Sequence, residues 1–310
     1  MSSHDQTASL MTPAKLAQMS AAKPPATPSA FLTQMAADVG HQHISRLKEL
    51  QPAVKQHALA AQAATLHPLL ERSQKALATI DFAPLQQKKG FLSGLTGKGK
   101  SAAAEVLAHV DAADVALKSL AADLVTITEQ QKAASAASDR TLVECEVEYR
   151  ALDKIIEQGA RWLQDMRNQL KARQAQANGD AAVLKQVEEE AARCELLVTR
   201  LKALRAVAAA SQQAHHLAQA AAQRRTALSQ AVQKVGTHEL RTWQGTVPPF
   251  VKFAAEGKSS GRVEDAQDVH AALVKRLGQV LTDSAQLHTD EQALEQAVAS
   301  MGERLAALAS

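Results

Sequence analysis

Residues 103–127 read AAEVLAHVDAADVALKSLAADLVTI, with apolar members at Ala103, Val106, Val110, Ala113, Leu117, Leu120, Leu124 and Ile127. The intervals alternate between three and four. An α-helix turns once in 3.6 residues, so positions spaced this way line up along one side of it, whereas a half-buried strand would repeat every second residue. Held over more than three heptads, the spacing predicts a coiled-coil seam. The fold class that follows is all-α: an elongated antiparallel helical bundle or coiled-coil rod of long helices, with no sheet.

Composition points the same way. The 310 residues are 46% hydrophobic but rich in alanine, and only 3% are aromatic. Small side chains let helices approach closely while each buries little area, which suits long antiparallel helices better than a thick globular core. A net charge of +3 is too mild to argue for nucleic acid. No apolar run reaches the length of a bilayer span, and the first thirty residues lack the apolar middle of a secretory signal. A cytoplasmic protein is expected, at most peripheral to the inner membrane.

Residues 1–28 contain Pro13, Pro24, Pro25 and Pro28 among Ser, Thr, Ala and Gln, and read as a disordered tail. Residues 29–84 read as N-terminal helices, starting after Pro28 and broken at Gly40, Pro52 and Pro68. Residues 85–101 form a glycine- and lysine-rich loop, and residues 102–247 the long-helix coiled-coil core. Within that core Asp139 is expected to cap a new helix, Asn178-Gly179-Asp180 to reverse the chain, and Gly236-Thr237-His238 to end the last long helix. Residues 248–310 are expected to hold an extended corner at Pro248-Pro249, a linker at Lys258-Ser259-Ser260-Gly261, and two short amphipathic helices. Val269, Leu273, Leu277, Val280 and Leu281 would line the first of these, and Leu294, Val298, Met301, Leu305 and Leu308 the second.

Function can be localised at one place, the loop. Lys88, Lys89, Lys98 and Lys100 carry four positive charges with no acid among them, and Phe91, Leu92 and Leu95 lie between. The mixture suits an anionic membrane surface or an acidic partner, and its glycines could present backbone N–H groups to a small oxyanion at the following helix start; a solvated hinge between helices is the plain reading against these. Gly94 to Ser101 also matches the phosphate-loop pattern G-x-x-x-x-G-K-[ST], so nucleotide binding through Gly94, Gly99, Lys100 and Ser101 is the alternative reading. A phosphate loop needs a strand before it, and only Phe91 and Leu92 precede Ser93 and Gly94.

Other residues point away from catalysis. Cys145 and Cys194 stand alone inside helical patterns and read as buried thiols. His41 with His43, and His215 with His216, are spaced so that two rings cannot share one helix side, so a common metal is not expected and solvated surface is. Glu188-Glu189-Glu190 with Arg193 reads as a solvated helix face with local ion pairs. Trp162 and Trp243 read as packing anchors.

From Leu85 to Trp243 the order of landmarks resembles the toxic anion resistance family, the TelA-like or tellurite resistance proteins. The lysine-rich stretch leading into Gly90-Phe91-Leu92-Ser93-Gly94-Leu95 is similar to the family's loop, and Leu152, Ile156, Gly159 and Leu163 are similar to its next helix. Arg200, Leu204, Gln213, Leu228 and Trp243 look like its last long helix. His216 and Arg241 stand where the family usually has proline. The resemblance implies a helical, non-enzymatic cytoplasmic protein of oxyanion or envelope stress, with other proteins of that system as partners. It implies no catalytic residue; the isolated cysteines and the histidine spacing lead to the expectation of no metal and no cofactor.

Overall fold

The computed structural model describes residues 38–59, 62–86, 98–256 and 262–308, and among the described residues there are helices and no strand. In chain order they are α1 (His41–Leu59), α2 (Gln62–Ala78), the single turn α3 (Ala83–Gln86), α4 (Lys98–Gln176), α5 (Ala181–Lys234), a π-helical turn (Val235–Glu239), α6 (Leu240–Ala255) and α7 (Val263–Ala307). The expected tail, the expected helix start at 29–37, loop residues 87–97 and the linker at Lys258 to Gly261 lie outside the described residues, while residues 85–86 and 98–101 of the expected loop are helical, ending α3 and opening α4.

Every seam position from Ala103 to Ile127 is buried, while Val115 and Val125 between them are 66% and 65% exposed. Burial here follows position on the helix rather than residue type, as the 3.6-residue turn demands. The reversal also forms as expected. Asn178 and Gly179 take positive φ (46° and 84°), and Asp180 Oδ1 accepts from the backbone N–H of Ala182 (2.9 Å) and Val183 (3.3 Å) to cap α5.

Several expected breaks are not breaks. Asp139 lies inside α4, which runs 79 residues without interruption; a capping oxygen has a role only where N–H groups lack helical partners. Pro52 and Pro68 lie inside α1 and α2, and Pro248 and Pro249 inside α6 rather than at a corner. Each proline removes one donor, and its ring crowds the carbonyl four residues back. For Pro249 that residue is Gly245, exposed and with open space where a side chain would stand.

Gly236-Thr237-His238 does not end the helix either. The buried stripe of α5 passes Leu228, Val232 and Val235, and resumes at Leu240, Trp243, Val247 and Val251. The step from Val235 to Leu240 is five residues, which an α-helix would rotate off the core. A π turn absorbs it, with the Leu240 N–H reaching Val235 O, so the stripe stays in phase. In place of two short C-terminal helices there is one, α7, of 45 residues. Its buried positions run Ala266, Leu273, Leu277, Val280, Ser284, Leu287, Glu291, Leu294, Val298, Met301 and Leu305. Ser284 and Glu291 continue the spacing, and read by side-chain type alone they look like a gap.

The chain divides into two compact units. The first takes α1 to residue 57 with residues 138–218 and 293–310, the second α2 and α3 with residues 98–137 and 219–292. In each, four helical columns alternate in direction. In the first, His43 meets Glu148 and Arg46 meets Glu144, Arg167 meets Glu195 and Arg173 meets Glu190, so numbers rise on one helix as they fall on its neighbour. In the second, Gln86 meets Gln267 while Gln74 stands beside Gly278, Gln244 meets Asp114 while Gly236 stands beside Leu124, and Trp243 meets His270 while Arg224 meets Asp290, each in the same antiparallel sense.

Leu117→Ala, at a fully buried seam position, should cost about 2–5 kcal/mol of stability. Val115→Ala, two residues away and largely exposed, should stay within about 0.5 kcal/mol. Urea denaturation of the two variants checks the seam directly.

Candidate functional site

Of the four loop lysines, Lys88 and Lys89 lie outside the described residues, and Lys98 and Lys100 lie in the first turn of α4 with their side chains not described. The phosphate-loop residues divide likewise. Gly94 lies outside, while Gly99, Lys100 and Ser101 open α4.

Apart from Gln213, the family-like positions lie where helices pack against one another. Gly159 lets α4 approach α5: a Cβ there would stand 2.9 Å from a terminal carbon of Leu201. Leu204 is fully buried against Gly40, whose φ of +75° turns the chain into α1 and whose added Cβ would meet Leu152 and Leu204 at 3.1 Å. Arg200 donates to the backbone oxygens of Val39 and Leu308, both at 3.4 Å, and so ties together the two ends of the first unit's chain segments. Leu228 and Trp243 are buried in the second unit, and Gln213 is exposed. Trp243 is an anchor, as expected; Trp162 is only half-buried.

Reading by side-chain type missed the polar residues that occupy buried stripe positions. In the first unit these include His43, Glu190, Ser211 and His215, and in the second Ser284 and Glu291. His43 Nδ1 lies 2.7 Å from Glu148 Oε2. A carboxylate only accepts, so Nδ1 carries the proton. Beside this pair Arg46 bridges Glu49 and Glu144, and Arg140 also bonds Glu144 at 2.9 Å, which fastens α1 to α4. These guanidinium contacts hold the Glu144 carboxyl below its ordinary value.

The expectation of solvated histidines holds for His41 and His216 and fails for His43 and His215, which are 3% and 4% exposed. The spacing that keeps two rings off one side sends one ring of each pair inward. His215 stands 5.5 Å from the Tyr149 ring and 3.8 Å from Glu146. Burial lowers its pKa, Glu146 opposes that, and His216 and Arg150 add to it. One turn away on α5, Ser211 is fully buried, and neither its hydroxyl nor His215 Nδ1 has a hydrogen-bond partner. The solvated reading of the three glutamates likewise holds for Glu188 and Glu189 only: Glu190 is buried and bonds Arg173 across the helix pair at 2.7 Å.

Neither thiol is arranged for chemistry. Cys145 is buried and pushed up to about 11 by desolvation with Glu148 adding to it, and burial also raises Cys194. Among the described residues no three His, Cys, Asp or Glu side chains are grouped to hold a metal ion, and no helix is long and apolar enough to cross a membrane. The buried polar groups are arranged to fix how helices pair. The fold defines an antiparallel helical-bundle protein. Compared with known proteins, the chain matches no family model, no curated protein and no solved structure.

Two measurements follow from these groups. Arg225 Nε bonds Glu291 Oε1 at 2.9 Å with both side chains largely buried. Glu291→Leu should destabilise by about 3–5 kcal/mol because it removes the carboxylate that a largely buried guanidinium pairs with, while Arg225→Met with Glu291→Leu should recover most of the loss; a double-mutant cycle in urea reads both. The second concerns His215. Its folded pKa is depressed below the ordinary 6.5, so its stabilising contribution is complete above that value and is lost as pH falls through the folded value. Stability should therefore fall on acidification from pH 7, and His215→Leu should show a shallower decline.

Proposed function

We propose that this chain is a non-enzymatic helical scaffold, similar to the TelA-like toxic anion resistance proteins, that acts in oxyanion or envelope stress by holding other proteins or an anionic membrane surface. The observation that supports this reading best is the use made of the residues carrying the resemblance. Gly159, Arg200, Leu204, Leu228 and Trp243 set helix spacing, tie backbone segments together or fill the core. A protein that works by presenting a shaped helical surface depends on residues with these roles. Chemistry at a centre would instead need a cleft with a nucleophile, base or metal. The four loop lysines are the contact surface in this reading.

Nucleotide binding is the second reading, favoured by one observation: Gly99, Lys100 and Ser101 open α4, where a phosphate-binding helix would place them. Against it stands the sequence before Gly94, where only Phe91 and Leu92 are available for a strand, and no strand that could pair with one is present among the described residues.

Deleting the gene should lower the tellurite concentration at which cells stop growing, and the intact chain should restore it. Replacing Lys88, Lys89, Lys98 and Lys100 together by Gln should abolish the restoration and reduce sedimentation with anionic vesicles or an acidic partner. Growth unaffected by the deletion would overturn the stress assignment. A saturable calorimetric heat with ATP and magnesium, lost in Lys100→Ala, would replace it with the nucleotide reading.

A further inference from the structure

The second unit contains a polar contact that works in only one protonation state. Trp243 on α6 is fully buried, and its indole Nε1–H donates to His270 Nδ1 on α7 at 3.3 Å. The same imidazole packs edge-to-face with the Phe82 ring, 5.3 Å between centroids at 65°, on the segment leading into α3. One half-buried ring therefore joins three helical columns of that unit.

An indole nitrogen can only donate. Nδ1 must therefore keep its lone pair, which places the proton of the neutral ring on Nε2. A second proton has nowhere to go but Nδ1, and there it faces the Trp243 N–H donor to donor. The ring cannot satisfy the indole by turning over, because in the imidazolium both nitrogens donate. Charge also enters a setting made of Trp243, Phe82 and the apolar stripe of α7, including Ala266 and Leu273.

Of the charged groups on the surrounding elements, Glu239 in the π turn and Arg276 on α7 are half-buried, with Glu239 Oε2 and Arg276 Nε unbonded, and neither contributes to the His270 shift; the others are committed elsewhere or directed outward. Asp81, beside Phe82, accepts from the Ala83 N–H, and Asp114 on α4 is bonded by Gln244 and Lys118. Asp111 on α4, Arg241 and Lys252 on α6, and Asp268 and Lys275 on α7 are exposed. The depressed pKa of His270 accordingly has burial as its cause, with no charge compensating.

We propose that Trp243 and His270 form a proton-operated latch, closed when the imidazole is neutral and released when it is protonated, which frees α6 from α7 before the helices themselves melt. The position of the pair suits release. Trp243 lies four residues beyond the π turn that ends at Glu239 and five before Pro248-Pro249, a stretch of helix bounded by two interruptions of the α-helical hydrogen-bond ladder. His270 is solvent-reachable, being half-buried, so protons in solution can set its state. The inference stands independently of the stress-scaffold reading, since it uses only the geometry of this contact.

Tryptophan emission of a Trp162→Phe variant, in which Trp243 is the remaining indole, tests the latch from pH 8 to pH 4.5 with helicity followed by circular dichroism. The emission should shift to longer wavelength in a one-proton step below the ordinary histidine value while helicity is kept. In the same background His270→Gln, whose amide oxygen accepts at every pH, should abolish the step. In the unaltered chain, the NMR resonance of the Trp243 indole proton should move with the titration of His270. A step that survives His270→Gln, an emission change that coincides with loss of helicity, or an indole resonance indifferent to His270 would each overturn the latch.

Discussion

A helix that carries an apolar stripe at three- and four-residue intervals must have that stripe covered, and in this protein antiparallel neighbouring helices cover it. The stripe is thin, because much of it is alanine. Ala103 and Ala113 on α4 and Ala208, Ala214, Ala218 and Ala221 on α5 are all buried. Small side chains remove little apolar area from water, so stability depends on helices coming close enough for dispersion contacts to accumulate. Gly159 beneath Leu201 and Gly40 beneath Leu152 and Leu204 are where the backbone itself makes that approach.

A stripe of near-identical alanines and leucines specifies burial but little about register, since sliding one helix by a heptad would bury almost the same surface. Polar residues embedded in the stripe supply the missing information. Arg225 must find Glu291, Glu190 must find Arg173, and His43 must find Glu148, because a charge left buried without its partner costs more than a correct pairing returns. Trp243 works similarly by size and by its single donor: it fills volume that alanine cannot, and its indole N–H requires His270 at the right height.

The all-α fold was legible from the eight positions between Ala103 and Ile127, and the reversal at Asn178-Gly179-Asp180 from its local chemistry. Helix ends were misread wherever a local signal competed with a longer-range one. Pro52, Pro68, Pro248, Pro249, Asp139 and Gly236 each argue for a break over a few residues, yet the helix runs through or past them. Ser284 and Glu291 split α7 on paper because they are not apolar. Carrying the three-four count through polar residues, rather than stopping at them, would have joined that helix and marked Glu190, Ser211, His215 and Glu291 as inward-facing. The five-residue step from Val235 to Leu240 was visible in the same count as a phase slip that only a π turn accommodates.

Sequence alone determined that this chain is helical, which residues form its longest seam, and where α4 turns back into α5, because these depend on backbone periodicity and on side chains within a few residues of one another. Only the tertiary structure decided which polar groups face inward, which acid meets which base, and that the His270 ring stands between Trp243 and Phe82. Those outcomes are set by partners up to 188 residues away in the chain, and the energy of a buried polar group depends on what lies opposite it, which no local reading of spacing contains.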